Sequence, residues 1–397
     1  MKVLFFIYAL NGGGAERVTA TLASHWVSRG WEVTVVSLVA SGSDAYDLDP
    51  GVNRIVLGLG GESGNIFKAI AHNLRRAGAL REVILQAKPD IAIAMESRAN
   101  ILLPLAARSM PTLRIIGSER TYPPRSPLGS IWQHLRQRTY GKLDAVVALT
   151  SECADWLKQH TNASCVPVIP NPAGWPLAAH VPIVEPAMFC RPGRKIILAA
   201  GRLIREKNVG ALIAAFAASA RSNGDWDLVI AGEGALRSTL EGQVKDAALD
   251  GRVFFAGRVG NLGDWYRHAD LYAMTSEYEG FPNTLAEAMA HGLPAVAFDC
   301  ETGPRDIIRH GVDGFLVPPG DHAGLQRALQ TMMSDGQLRK EFGQRAIEAR
   351  ERFSLKKISS LWEELFDECM HRKQGITASG ARKTEYVRGI AHESRFE

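Results

Sequence analysis

The chain has 397 residues, with 46 lysines and arginines against 42 acids for a net charge of +4, and it is 46% hydrophobic and 8% aromatic. Such a balance excludes a disordered, collagen-like or coiled-coil chain, and the length accommodates two or three domains, each with its own core. The mild basic excess does not by itself imply nucleic acid, and no apolar run approaches the ~20 residues that cross a bilayer.

In chain order, short β-branched runs alternate with helical patterns, the signature of parallel sheets wrapped by helices. Strands are expected at 3–9, 32–38, 91–95, 113–117, 145–149 and 166–169. After the first strand, Val18, Leu22 and Trp26 fall at i, i+4 and i+8, so one apolar stripe of the following helix faces the sheet, and Gly30 ends it. A second series is expected at 196–200, 228–231, 253–256, 271–274, 295–298 and 315–317. Between the series, Pro172, Pro176, Pro182, Pro186 and Pro192 favour an extended connection. The reading is two doubly wound α/β domains joined near 172–192. An amphipathic segment at 355–370 follows the last strand, and 374–397 is polar and aperiodic. In open parallel sheets ligands bind beyond the carboxyl ends of the strands, so two such sheets place a site between them.

Five cysteines, Cys153, Cys165, Cys190, Cys300 and Cys369, are widely spaced, odd in number and near no histidine pattern of metal-ligand spacing, and so read as buried thiols in a reducing compartment. The apolar run at 3–10 follows Lys2 and precedes Gly12-Gly13-Gly14 without a cleavage site, so the expectation is a cytoplasmic protein.

Three segments can carry chemistry. Asn11-Gly12-Gly13-Gly14-Ala15-Glu16-Arg17 joins a strand to a helix, and its glycines let backbone N–H groups and the positive helix end approach a phosphate or sugar. The same glycines also suit a tight turn that merely lets the helix pack. In Gly201-Arg202-Leu203-Ile204-Arg205-Glu206-Lys207-Asn208, Arg202 and Lys207 stand at a strand's carboxyl end, where two cations can grip a diphosphate; the alternative is a solvated charge cluster. In the third, Ser276 to Ala288, Gly280 permits a sharp turn and Pro282 starts a helix closed by Gly292 and Pro294. Glu279 lies before this helix and Glu287 on its second turn, with the N–H groups of Gly280, Phe281, Asn283 and Thr284 between them. Carboxylates for sugar hydroxyls and amides for a phosphate are thus offered together, although either glutamate alone also reads as an ordinary surface acid. Asp47-Leu48-Asp49 and Asp225-Trp226-Asp227 match a metal-binding D-x-D, but the first lies in a Gly/Ser/Asp-rich stretch and the second introduces a strand.

G-R-x-x-x-x-K at 201–207 and E-G-F-P-N-T-L-A-E-A at 279–288 resemble the retaining glycosyltransferases of family four. So do G-G-A-E-R at 13–17, I-P-N at 169–171, A-G-E-G at 231–234 and G-R-V at 257–259, all in the family's order. The resemblance implies an α/β, GT-B fold, two Rossmann-like doubly wound domains facing across a cleft. It implies an acceptor domain over 1–172, a linker at 173–192, a donor domain over 193–354, a helix at 355–372 crossing back, and a flexible tail at 373–397. It further implies Arg202 and Lys207 on the donor diphosphate, Glu279 at the transferred sugar, Glu287 on the ribose, Arg258 and Val259 about the base, and Gly13 and Gly14 approaching the donor from the other domain. No metal or other cofactor is required in the family. One departure stands out: where many relatives carry a histidine, Ser118-Glu119-Arg120 places Arg120, a positioning or charge-stabilising group, or else the partner of Glu119 or another acid.

The reaction implied is transfer of a hexose or N-acetylhexosamine, with retention, from a nucleotide-sugar, most readily UDP-linked, to a lipid-linked glycan of a bacterial surface polysaccharide. The alternatives are a nucleotide-sugar epimerase and an idle sugar-nucleotide-binding module. In the first half, Arg114, Arg120, Arg125, Arg136, Arg138 and Lys142 face Glu119 alone over 114–142, and Lys68, Arg75, Arg76, Arg81 and Lys88 face only Glu82 over 68–88. These helices suit contact with an anionic inner-membrane surface, peripheral on its cytoplasmic face, or are solvated helix faces. Nucleic acid is not expected as a partner.

Overall fold

The computed structural model describes residues 1–39, 46–61 and 66–372. The chain divides into two units, Met1–Asn171 with 358–372, and Pro172–Lys357. The tail expected over 373–397 lies outside the described residues.

Each unit is built on one parallel sheet. In the first, β1 (Lys2–Ile7), β2 (Glu32–Ser37), β3 (Asn53–Val56), β4 (Ile91–Met95), β5 (Arg114–Ser118) and β6 (Ala145–Val147) lie in the order β3-β2-β1-β4-β5-β6. In the second, β7 (Lys195–Ala200), β8 (Trp226–Ala231), β9 (Val253–Gly257), β10 (Leu271–Met274), β11 (Ala295–Phe298) and β12 (Gly314–Val317) lie in the order β12-β11-β10-β7-β8-β9. Counted from its own first strand, each is the 3-2-1-4-5-6 order of a doubly wound sheet. The central strands are apolar on both faces because helices cover both; all five residues of β4 are buried. Winding reverses between β1 and β4, and again between β7 and β10. In each unit the loops that leave the two strands at its reversal therefore rim the crevice where such a sheet takes ligands.

Two sequence expectations change. The segment 166–169 is not a strand; it contributes a single bridge, Ala148 to Val168. An edge strand, β3, stands where none was expected, because its run Asn-Arg-Ile-Val is half polar. Its register on β2 is held partly by the Arg54 guanidinium, which donates to Ser37 Oγ (2.7 Å) and the Ile55 carbonyl (2.8 Å).

The expected stripe of helix Gly14–Ser28 is realised, with Val18, Leu22 and Trp26 buried. The Trp26 ring stacks on Phe5 at 5.6 Å and meets Phe366 at 5.2 Å, and its Nε1 donates to Glu363 at 3.1 Å. Phe366 and Glu363 belong to the closing helix, Leu355–Arg372, whose part from 358 onward packs into the first unit.

The proline-rich residues 173–192 are hydrogen-bonded into the second unit. The His180 N–H donates to the Gly260 carbonyl (2.9 Å), the Gly260 N–H donates to Pro182 (2.7 Å), and the Asn261 side chain accepts from the Val184 N–H at 3.0 Å. The Trp175–Pro176 and Val181–Pro182 peptides are cis.

The acids of Asp225-Trp226-Asp227 are already occupied. Asp227, fully buried at the start of β8, accepts from Arg191 (2.8 Å) and Arg194 (2.6 Å), with Arg252 at 3.3 Å, while Asp225 pairs with Lys195 at 2.8 Å. Against the opposing effect of burial, the Arg194 and Arg191 guanidiniums hold the Asp227 carboxyl below the usual range. Asp49 caps a turn, accepting from the Gly51 N–H at 2.8 Å.

Candidate active site

In the second unit the loops after β7 and β10 are laced together. The Glu277 N–H donates to the Glu206 carbonyl (2.8 Å), and the Thr275 hydroxyl donates to the Asn208 carbonyl (3.0 Å). Asn208 takes a left-handed φ of +47°, a conformation asparagine tolerates, and so turns the chain directly after Lys207. The result brings two predicted residues together: Lys207 Nζ lies 2.5 Å from Glu279 Oε1, the side chains being 25% and 11% exposed. The Ser276 hydroxyl donates to the same carboxyl oxygen (2.7 Å), and the Thr302 hydroxyl donates to the Glu279 carbonyl. Arg202 is exposed on the same loop, and among the described residues no carboxylate pairs with it.

A-G-E-G at 231–234 acquires a physical reason. A Cβ at Gly232, where φ is +150°, would run into the Gly201 carbonyl, and one at Gly234 would run into the backbone of Leu203. The two glycines let the cation-bearing loop lie against β8, where the Leu203 N–H donates to the Glu233 carbonyl at 2.8 Å. Gly232→Ala is expected to lower stability by about 2–3 kcal/mol in urea unfolding, because the clash is backbone on backbone.

The turn Glu279–Pro282 leads into helix Asn283–Ala290, which ends before Gly292 at φ +88°. Among the described residues no acceptor meets the backbone N–H of Gly280, Phe281 or Thr284, so this helix start presents donors and the positive end of its dipole to an anion. The Phe281 ring is packed on Phe353 at 5.6 Å, leaving only its backbone for a ligand. The Thr284 hydroxyl accepts from the Tyr272 hydroxyl (2.8 Å) and lies 3.4 Å from the Ala200 carbonyl, which staples the helix to the end of β7. Glu287, expected on the ribose, lies on the second turn of this helix. It is 1% exposed, with the Tyr266 hydroxyl 3.3 Å from its Oε2. Arg258 is exposed and Val259 partly exposed just beyond β9, two strands and therefore about 10 Å from β7.

The first unit carries the remaining predicted residues at the corresponding ends of β1 and β5. Gly13 caps helix Gly14–Ser28, and Gly12 has φ +105°. A Cβ on Gly13 would run into the Glu16 carboxylate, which folds back over the glycines. Arg120 is 8% exposed; its Nη1 donates to Ser118 Oγ (3.3 Å) and its Nη2 to Asn171 Oδ1. The asparagine of I-P-N is thus the holder of Arg120. Burial lowers the Arg120 guanidinium to about 10, and burial together with the Glu16 charge raises the Glu96 carboxyl at the end of β4 to about 7.

Glu119 is not the partner of Arg120. It accepts from the Ser97 hydroxyl and from the Tyr140 hydroxyl (2.6 Å), and Arg136 Nη2 stands 3.8 Å away, both charges being buried. Sequence reasoning gave Glu16 and Ser276 no role within the segments it named and passed over Thr302, Tyr272 and Glu96, and only the I-P-N motif hinted at Asn171. The basic windows also thin out. Arg76, Arg114, Arg120 and Arg136 are buried, Arg76 and Arg114 donating to carbonyls, among them Leu59 and Cys369 at 2.9 Å each.

Residues 12–173 match the model of Glycosyltransferase Family 4, and residues 189–349 match that of Glycosyl transferases group 1. The chain is 28% identical over 371 residues, 93% of its length and 99% of the relative's, to the Campylobacter jejuni GalNAc-alpha-(1->4)-GalNAc-alpha-(1->3)-diNAcBac-PP-undecaprenol alpha-1,4-N-acetyl-D-galactosaminyltransferase. It is 32% identical over 284 residues to an exopolysaccharide phosphotransferase of Streptomyces coelicolor, a match that covers 70% of this chain and only 29% of that longer protein. Among solved structures, Anabaena HepE in complex with UDP superposes with a TM-score of 0.77 at 20% identity, covering 93% of this chain and 100% of that one, and this likeness identifies the fold as GT-B. Two family models matched in order across most of the length, on two sheets of the same winding, make the chain a member of family 4 of the glycosyltransferases.

Proposed function

We propose that the protein is a retaining, metal-independent glycosyltransferase that moves a hexose or N-acetylhexosamine from a UDP-sugar to a lipid-linked glycan of a bacterial surface polysaccharide. The observation that carries this reading is the pairing of Lys207 with Glu279 beside exposed Arg202, at the reversal of winding between β7 and β10. Departure of a nucleoside diphosphate leaves an oxocarbenium-like sugar, so the main task is to hold negative charge on the leaving group. Arg202, Lys207 and the amides of Gly280, Phe281, Asn283 and Thr284 do this, while Glu279 binds the sugar, Glu287 the ribose and the backbone of Arg258 and Val259 the base. Gly13 and Gly14 give the transferred sugar a close backbone approach, and Arg120 positions it. The acceptor attacks on the face from which the diphosphate departs. The bond from the anomeric carbon to the phosphate oxygen breaks, the bond to the acceptor oxygen forms, and the acceptor's proton leaves on the diphosphate.

A relative named for an undecaprenol-diphosphate-linked glycan and a structural neighbour holding UDP support these choices of acceptor and donor. Peripheral contact with the cytoplasmic face of the membrane is supported by Ile70 and Leu74, exposed beside Lys68 and Arg75 on helix Ile66–Ala87.

The test is incubation of the purified protein with UDP-sugars, with and without an undecaprenyl-diphosphate-linked oligosaccharide. Acceptor-dependent UDP release is expected, with an α-linked product from an α-linked donor by NMR and an unchanged rate in excess EDTA. UDP at a hundred times its Kd should raise stability by about 2.7 kcal/mol. Conversion of the donor to an epimer without any acceptor would instead identify an epimerase.

A further inference from the structure

The end of β4 carries a glutamate where the backbone suits glycine. Glu96 sits at φ +83° and ψ 156°, a region that residues with a Cβ avoid and that concentrates at functional sites when occupied. Its backbone is pinned there: its N–H donates to the Ser118 carbonyl (3.0 Å) and its carbonyl accepts from the Asn100 N–H at 2.9 Å. The carboxyl is only partly exposed.

Four charged groups face it: Glu16 from helix Gly14–Ser28, Arg98 from helix Ser97–Ala106, and Glu119 and Arg120 from the end of β5. Glu119 is taken up by Ser97, Tyr140 and Arg136. Arg120 is more than nine-tenths buried, its two Nη atoms meet only the neutral oxygens of Ser118 and Asn171, and its Nε has no partner among the described residues. A guanidinium charge is thus buried without a carboxylate in contact, and two carboxylates stand nearby without a cation in contact. Such an arrangement is that of a site for a polar ligand.

The chemistry of that ligand follows from the charges. A diphosphate is disfavoured, because Glu16 already lies over Gly13 and Glu96 adds a second negative group, against Arg120 as the one buried cation beside exposed Arg98. A neutral polyol suits: its hydroxyls donate to a carboxylate and accept from N–H groups.

We infer that Glu96 binds a hydroxyl of the acceptor sugar, with Arg120 as the counter-charge that keeps its carboxylate available. The inference rests on the transfer reaction proposed above. Glu96 positions the sugar and keeps no proton from the reaction. Because burial holds the free carboxyl near 7 and the ionised form is the one that accepts hydrogen bonds, kcat/KM for the acceptor should rise with pH through that value.

The experiment compares wild type with Glu96→Gln and Glu96→Gly, using UDP-N-acetylgalactosamine or UDP-glucose as donor and an undecaprenyl-diphosphate-linked oligosaccharide as acceptor. Both variants should raise the acceptor KM at least about tenfold, keep the Kd for UDP within about twofold, and lose the pH limb near 7. Glu96→Gly should also melt at or above the wild-type temperature, because the strain is released; a purely structural glutamate would show the reverse. An unchanged acceptor KM and pH profile in Glu96→Gln overturns the inference, as does a loss confined to UDP binding. Failure of wild type to release UDP from any donor would appear before a variant is made, and it would take the transfer reading down as well.

Discussion

Arg202→Ala and Lys207→Ala are each expected to lower sugar transfer about a hundred- to a thousand-fold at saturating donor, a rise in the barrier of about 2.7–4 kcal/mol. Arg202 is exposed, so its truncation leaves no buried vacancy and the melting temperature should hardly move. Lys207 differs, because in the resting protein it neutralises Glu279. In the proposed reaction a diphosphate, carrying more charge than one carboxylate, competes for the same ammonium and would hand Glu279 over to the sugar. Without Lys207, the 11%-exposed carboxylate keeps only the Ser276 hydroxyl as a side-chain donor, so that variant should lose UDP affinity and a little stability together. The measurement is the rate of UDP release alongside calorimetric titration with UDP. Rates within about threefold of wild type in both variants would remove these cations from the reaction.

Glu119→Ala is expected to destabilise the first unit by about 3–5 kcal/mol, enough to abolish its folding at moderate temperature. The reason is what the side chain leaves behind. Arg136 is buried and would lose its counter-charge, while the Tyr140 and Ser97 hydroxyls would lose their acceptor. The faces of Trp156 and Tyr140, 5.6 and 6.0 Å from the guanidinium carbon, offer partial compensation only. Glu119→Gln keeps an acceptor for only one of the two hydroxyls, its NH2 facing the other, and should still cost less than Glu119→Ala, about 1–3 kcal/mol. Pairing it with Arg136→Met, which removes the buried cation as well, should recover stability relative to Glu119→Ala. Urea unfolding followed by tryptophan fluorescence reports these differences, and a wild-type midpoint for Glu119→Ala would show that the pair carries no stability.

Where apolar pattern and loop chemistry coincide, the sequence was legible. The strands 91–95, 271–274 and 295–298 fall where a continuous apolar run between turn residues places them, because burial on both faces leaves no other pattern. Strand β3 was hidden because an edge strand needs only one packed face, and Asn53 and Arg54 mask it. At the site, the strand-end position of Lys207 was legible, while its pairing with Glu279, 72 residues away, was not. Nor were the burial of Glu287 and the charges about Glu96, since each depends on residues distant in the chain, Tyr266 in one case and Glu16 and Arg120 in the other. Net charge over a window also misled: an arginine counted in 114–142 as surface can be a buried carbonyl ligand, as Arg114 is. A one-dimensional tally does not distinguish the two.

The seat of Phe366 against Trp26 has a consequence for synthesis on the ribosome. The first sheet emerges early, yet the part of Trp26 that meets Phe366 stays uncovered until helix Leu355–Arg372 leaves the exit tunnel, after the whole of the second unit has been made. The half translated first is therefore the half completed last, and a nascent chain arrested before residue 358 should offer that indole to chaperones.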